Sequence, residues 1–429
     1  MCKDKLNHIT VFEHQSILVG EKFGITEFTE QHRIQFERFY GAKGVPYFSL
    51  IHNGIRFKEY VGVILVGKLT IEILPKADKT DTDTKKWRNL LIGMLLSVNQ
   101  FNIHAPSSSE LKIKPNSILE LYFELFIKEI EYLINKGLIK KYRKTETNSF
   151  TLKGNIIFSK QIQENIIHKE RFYIKHTTYD NEHIIHQVLF KTIVLLKVIN
   201  NNIKLKSKIG NLILNFPEVK NIKVTEKTFK RIVLNRKTES YNNAIKISKL
   251  LLLNYHPELS LGQNNVLALM FDMNLLWEKF IFISIRKHLP ENMTITSQRS
   301  KHFWEPKNGY TSYMRPDIVI NTNKEVTENI VIDTKWKNIG NSNPSPDDLR
   351  QLYVYHEYFN ARKAALLYPS NTDLIISGKY YLPKTKIDID TENQLSVKEC
   401  SLIKLQTYNT IVEWQKHIAN FVINKWIEL

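Results

Sequence analysis

Along roughly the first 75 residues, apolar positions come in short runs separated by tight polar breaks, a pattern that predicts strands. "YFSLIHNGIRF" predicts a hairpin, because Asn53-Gly54 between two apolar runs favours a type I′ turn. "YVGVILVGKLTIEILPK" predicts two more strands, joined at Gly67-Lys68 and ended by Pro75. "ADKTDTDTKK" is a polar loop, after which Trp87 to Phe101 shows helical spacing. Beyond the break "HAPSSSE", the stretch "SILELYFELFIKEIEYLINKGL" predicts an amphipathic helix closed by Gly137. From Phe150 to about Gly262 the pattern is mixed but mostly helical, and the loop-like "HPELSLGQ" is a candidate boundary.

The last third is ordered more legibly. A helix is expected from about Val266 to Lys287, then a strand at "MTITSQR", then two strands within "MRPDIVINTNKEVTENIVIDTKWK", Met314 to Lys337. "NIGNSNPSPDDL" leads into a helix with Ser345 as N-cap, Pro346 at the first helical position and two acids in the first turn. That helix, "DDLRQLYVYHEYF", precedes the strand "KAALLYP", giving helix, strand, strand, strand, helix, strand. No internal repeat or long low-complexity segment interrupts the chain.

Two of these strands carry acids where burial would disfavour them. Strand side chains alternate faces, so Val331, Asp333, Lys335 and Lys337 share one face, opposite Ile330, Ile332, Thr334 and Trp336. Asp317 opens the preceding strand, after a proline tolerated at that position. If the strands pair, the two carboxylates converge, and two carboxylates plus a substrate phosphate suit Mg²⁺, which keeps several waters. Lys335 would then orient the attacking water or offset charge on the phosphate. The same residues also describe a half-exposed hairpin with a salt bridge. Glu278, amid the apolar residues of "FDMNLLWEKFI", is either a rim residue or a third carboxylate on the metal side. Gln351 and Tyr355, four apart on one helix face, read as DNA-backbone or active-site contacts, or as an ordinary amphipathic face.

Composition adds partners and exclusions. Hydrophobic residues make up 42% of the 429, so the chain is globular and long enough for two or three domains. Its net charge of +18, from 61 Lys+Arg against 43 Asp+Glu, favours polyanions such as nucleic acid or an acidic protein, unless the lysines are scattered and solvated. Two cysteines exclude a disulfide framework or a Cys-based zinc site and fit a reducing cytoplasm. No signal peptide is expected from the charged "MCKDKLNHITVFEHQ", and no apolar run is long enough to span a bilayer. "GVILVGKL", Gly62 to Leu69, mimics a phosphate-binding loop. Leu69 stands where Ser or Thr would hold Mg²⁺, and its four intervening residues belong in a strand, so nucleotide binding by this chain is not expected. His183 with His186, and His356 beside Glu357, read as helix-surface or core histidines rather than zinc ligands.

The helix–strand–strand–strand–helix–strand order with Asp317, Asp333 and Lys335 resembles the PD-(D/E)xK nuclease core. More narrowly, "FDMNLLWEKFI", "MRPDIVI", "VIDTKWK" and "DDLRQLYVYHEYF" resemble the McrC family, the nuclease subunit of McrBC-type modification-dependent restriction systems. "YVGVILVGKLTIEILPK" and "LKGNI", Leu152 to Ile156, are similar to that family's N-terminal and central motifs. The resemblance implies an α+β, multi-domain chain. A β-rich N-terminal lobe (1–148) would dock on a partner, a mostly helical region (149–262) would connect, and an α/β nuclease core with a mixed sheet (263–429) would follow. It implies Asp317, Asp333 and Lys335 as catalytic residues, with Glu278 as the family's helical acid and Mg²⁺, or Mn²⁺ in its place, on the carboxylates. It further implies cleavage of double-stranded DNA directed by modified cytosine, and a McrB-like AAA+ GTPase ring that binds GTP and is stimulated by this chain. A non-catalytic adaptor that regulates the ring, or a stand-alone nuclease, are the alternatives. The chain looks longer than a compact member, and its Tyr- and Lys-rich middle does not align.

Overall fold

A computed structural model describes residues 7–77, 82–98, 117–256, 266–323, 328–337, 339, 342–381, 395–408 and 410–427. Packing divides the chain into two units, neither of which is one stretch of sequence. The first comprises Met1–Asn7, Val63–Thr70 and Asn102–Leu269, the second His8–Gly62, Ile71–Phe101 and Met270–Leu429. "HAPSSSE" and "HPELSLGQ" lie outside the described residues apart from His256.

In the first unit the helix Ile118–Lys136 forms as expected. Ser117 caps its start by accepting from the Glu120 N–H, and Gly137 takes a positive φ of 92° at its end. Its apolar face packs with the helices Ile203–Asn215 and Asn242–Leu253, and Ile184–Ile199 completes the layer. The mostly helical reading of this region omitted a three-stranded sheet, in which Phe172–Asp180 pairs with both Lys141–Ser149 and Asn155–Ile156. Its strands alternate half-buried and exposed positions but are built from Lys, Thr, Arg and Tyr, so no apolar alternation announces them. Within "LKGNI", Gly154 has φ 72°, and a Cβ there would stand 2.4 Å from the Lys175 carbonyl oxygen. Only glycine allows that approach. His186 is fully buried with Nδ1 2.8 Å from the Asn181 carbonyl and Nε2 3.2 Å from the Tyr241 hydroxyl, a satisfied core histidine as expected. The residues from Val63 to Val66 are buried in the strand Tyr60–Val66, and Gly67 turns at φ 59° into Leu69–Leu74. The phosphate-loop mimic is a strand and a turn.

The second unit begins with a small sheet that includes the expected hairpin, Phe48–Ile51 with Gly54–Phe57, whose turn places Asn53 at φ 57°. The β-rich lobe also contains the helix Glu30–Tyr40, capped reciprocally by Thr29 and His32. Its single buried residue, Phe36, gives too thin a stripe to read from the sequence.

The core of this unit starts with a correction. Val266–Asp272 is a strand, and the helix α1 runs only over Met273–Lys287. Asp272 explains the break, because its carboxylate caps the helix by accepting from the Asn274 and Leu275 N–H groups. Then follow β1 (Thr294–Ser297), β2 (Lys301–Trp304), β3 (Ser312–Met314), β4 (Ile318–Asn323), β5 (Glu328–Thr334), α2 (Pro346–Phe359), β6 (Ala361–Ser370), β7 (Leu374–Tyr381), β8 (Leu395–Gln406) and α3 (Ile411–Asn420). Six strands form one mixed sheet in the order β1-β4-β5-β6-β8-β7. The β5–β6 and β6–β8 pairs are parallel, and the others are antiparallel. The helix α2 joins parallel β5 and β6 as a crossover and starts as expected, with Ser345 accepting from the Asp348 N–H. Its Leu352, Tyr355 and Phe359 pack on Val319, Val331, Ala364, Leu366 and Tyr368 of the sheet. On the other face, Trp336 meets Trp277 of α1, which in turn meets Trp414 of α3.

Candidate active site

Register brings the acids together. Ile318 of β4 pairs with Ile332 of β5 in an antiparallel ladder, so one step further Asp317 stands opposite Asp333. Both acids lie on the face that carries Val319 and Val331, which α2 covers. Asp317 is fixed by its neighbour across the ladder. Thr334 donates to its Oδ2 twice, through the backbone N–H at 2.7 Å and the hydroxyl at 2.8 Å. Beyond Thr334 the strand is extended by the Lys335 N–H, which donates to the Leu367 carbonyl at 2.9 Å. The Lys335 ammonium thus returns to the acid face and stands 2.8 Å from Asp333 Oδ2 and 3.6 Å from Asp348 Oδ1. Asp348, in the first turn of α2, also pairs with Lys337 at 2.9 Å.

Burial sets the electrostatics. Asp333 is 3% exposed, and desolvation, with the Asp317 charge next, raises its pKa to about 6 against the pull of Lys335. Desolvation also raises that of Asp317 despite the Thr334 bonds. Glu278, buried on α1, is raised to about 7 by desolvation, and the charges of Asp317 and Asp333 add to the effect. For Lys335 burial opposes the charge, but the surrounding carboxylates outweigh it and hold its pKa up, so it stays an ammonium. Two opposed hard-oxygen donors, with Glu278 and Asp348 adding further carboxylates nearby, fit Mg²⁺, which needs one or two protein carboxylates and completes its shell with water and phosphate oxygens. Among the described residues no group of three His, Cys, Asp or Glu forms a ready-made cation cage, so Glu278 does not close the pair into a triad.

Of the remaining expected residues, Gln351 is exposed and Tyr355 is 3% exposed within the core cluster. Gln351 Nε2 donates to the Tyr355 hydroxyl at 2.7 Å, and that hydroxyl donates to the Arg315 carbonyl at 3.2 Å. Tyr355 therefore holds the backbone two residues before Asp317. Sequence reasoning missed Gln298. Its N–H donates to the Asp317 carbonyl at 3.0 Å while its side-chain amide donates to Glu278 Oε1 at 2.7 Å, tying α1 to the start of β4. It adopts φ 53°, unusual for a side chain of its size, and nothing in the local sequence announces it. The Asp348 partner of Lys335 was legible as a first-turn acid but not as part of the site.

A family model described as "McrBC 5-methylcytosine restriction system component" matches residues 55–369. The chain belongs to this family. Its fold is similar to a structure described as a refined half-complex from the tetradecameric assembly of Thermococcus gammatolerans McrB AAA+ hexamers with bound McrC. That match has a TM-score of 0.70 at 20% identity and covers 97% of this chain and 100% of the other. A cryo-EM structure of the Thermococcus gammatolerans McrBC complex matches with a TM-score of 0.49 at 19% identity, over 66% of this chain and 88% of the other. No curated protein matches the sequence. The McrBC match spans the β4–β5 hairpin and all of α2, so the opposed acids lie inside the family region. Among the described residues no helix is long and apolar enough to cross a membrane.

The raised carboxylates give a test of the acid pair without catalysis. An acid whose folded pKa exceeds its unfolded one stabilises fully below the unfolded value, and that stability is lost as pH rises through the folded value. For Asp333 the window runs from about 4 to about 6. Metal-free Asp333→Asn protein should match the parent at pH 4 and exceed it by on the order of 2 kcal/mol at pH 7.5. Adding Mg²⁺ should raise the melting temperature of the parent and leave that of the variant unchanged. Thermal unfolding across pH, with and without Mg²⁺, checks both.

Proposed function

We propose that this chain is the DNA endonuclease subunit of a GTP-dependent, modified-cytosine-directed restriction system and hydrolyses phosphodiester bonds with Mg²⁺. The observation that supports it best is the opposition of Asp317 and Asp333 in register, with the Lys335 ammonium against Asp333. A salt bridge on a half-exposed hairpin would not need Asp333 to be 3% exposed, nor a second, half-buried acid facing it. Held by the two carboxylates, Mg²⁺ would polarise the phosphate and lower the pKa of a bound water. Asp317, locked by Thr334, would hold one side of the ion, and Lys335, which stays an ammonium, would offset negative charge that gathers on the pentavalent phosphate. Asp348 offers the Lys335 ammonium a second carboxylate, 3.6 Å away, besides its contact with Asp333.

The partner in this reading is a McrB-like AAA+ ring that binds GTP and reads the modified base. The N-terminal lobe docks on the ring and stimulates its GTPase, the middle region connects, and residues 263–429 cut. The test combines the chain, its partner, GTP and duplex DNA containing methylcytosine. Cleavage should require Mg²⁺ and stop with EDTA, whereas Asp333→Ala protein should stimulate the GTPase at the parent's rate. A folded Asp333→Ala variant that fails to stimulate would contradict this division of labour, and Mg²⁺-independent cleavage would contradict the chemistry.

A further inference from the structure

Between Gln298 and Asp317, both tied into the site, the chain leaves the six-stranded sheet and forms a two-stranded hairpin of β2 and β3. Its base is built in. The Lys301 ammonium donates to the Tyr358 carbonyl at 2.5 Å and lies 5.1 Å over the Phe359 ring, while Phe303 meets Tyr358 edge-on at 5.3 Å. The hairpin is thus fastened to the last turn of α2, whose other end carries Asp348. His302 packs on Tyr313 across the ladder at 4.8 Å.

What remains is large, aromatic and unburied: Trp304 is 59% exposed, Tyr310 98% and Tyr313 52%. Among them stand the exposed cations Arg299, Lys307 and Arg315, and from Gln298 to Pro316 the one acid is Glu305. A hydrophobic protein partner would select for apolar side chains and few cations. Cations interleaved with Trp and Tyr match the chemistry of nucleic acid, with phosphates for the charges and sugar and base surfaces for the rings. Position agrees, since Arg315 lies two residues before Asp317.

We infer that this hairpin grips duplex DNA beside the phosphodiester presented to Asp317 and Asp333, with Trp304, Tyr310 and Tyr313 on sugars and base edges and Arg299, Lys307 and Arg315 on phosphates. The inference rests on the nuclease reading for its substrate, but its readout is binding. Of the six tryptophans, Trp87, Trp277, Trp336, Trp414 and Trp426 are buried, so Trp304 alone reports binding at the surface.

The experiment titrates the full-length protein, in EDTA and low salt, with a 20-base-pair duplex. Tryptophan emission should fall on binding, and Trp304→Phe protein should bind with no such change. Combined Trp304→Ala, Tyr310→Ala and Tyr313→Ala should weaken binding about tenfold to a hundredfold, the range expected when one or two aromatic rings no longer meet the DNA. Arg299→Gln, Lys307→Gln and Arg315→Gln together should flatten the log–log salt dependence by about 0.9 for each phosphate that is no longer neutralised. Unchanged emission, or parent affinity in the triple aromatic variant, overturns the inference and leaves the nuclease reading to Asp333. Normal DNA binding with lost capture of the AAA+ partner overturns it too and assigns the hairpin to protein. Because all six side chains are at the surface, the variants should melt with the parent, and that is checked first.

Discussion

Asp333→Ala and Lys335→Ala should each lower single-turnover cleavage by about a thousandfold or more, the scale set by removing one preorganised electrostatic group from a transition state. The two losses differ in kind. Removing Asp333 takes away one of the two opposed carboxylates and at the same time relieves a buried negative charge, so that variant should be no less stable than the parent at neutral pH. Removing Lys335 leaves Asp333 and Asp317 facing each other with their nearest cation gone, and the pKa of the pair should climb further. Raising Mg²⁺ should therefore recover part of the ground-state binding of Lys335→Ala, but not its rate. Lys335→Arg should stay slow, because a planar guanidinium cannot keep the geometry of a point charge between Asp333 and Asp348. Cleavage by Lys335→Ala within tenfold of the parent, with partner, GTP and Mg²⁺ present, would remove the lysine from the chemistry.

The pairing that makes this site was legible because strand alternation and ladder register are both simple periods. Alternation put Asp333 and Lys335 on one face, and antiparallel pairing of two adjacent apolar runs then brings Asp317 opposite Asp333. The crossover helix was legible too, since Ser345, Pro346 and two acids form a start signal independent of tertiary context. What escaped is long-range or aperiodic. Gln298 acts through a left-handed backbone and a bond to a helix twenty residues earlier, neither of which leaves a local pattern. The β2–β3 hairpin has exposed aromatics on short strands, so its composition looks like a buried strand and its polar breaks like a loop. At Val266–Asp272 the apolar run fits either period, and only the capping role of Asp272 separates strand from helix. The family match carries the chain from similar motifs to membership, but it leaves the chemistry of individual side chains to geometry and experiment.

Trp336 should prove the most costly residue to shorten near the site. Its indole is 8% exposed, meets Trp277 at 5.2 Å and Trp87 at 6.5 Å, and donates from Nε1 to Glu13 Oε1 at 2.7 Å. Glu13 is buried as well, and the same oxygen accepts from the Lys76 N–H at 2.8 Å. Desolvation raises the Glu13 pKa to about 7, and these two donors act against the rise. Trp336→Ala would leave a cavity beside Trp277 and Trp87 and should cost about 3–5 kcal/mol. Trp336→Phe keeps most of the packing but removes the donor, which should cost about 1–3 kcal/mol and push the Glu13 pKa higher still. The residue also adjoins Lys335, whose N–H holds the end of the strand to Leu367. Loosening Trp336 should therefore reduce cleavage while sparing Mg²⁺-free DNA binding, because Trp336 is no part of the β2–β3 hairpin. Urea unfolding at pH 7 measures the stability loss, and a double-mutant cycle with Glu13→Ala isolates the hydrogen bond. The same transition midpoint in Trp336→Ala as in the parent would show that Glu13 and the indole are not part of what holds the end of β5 in place.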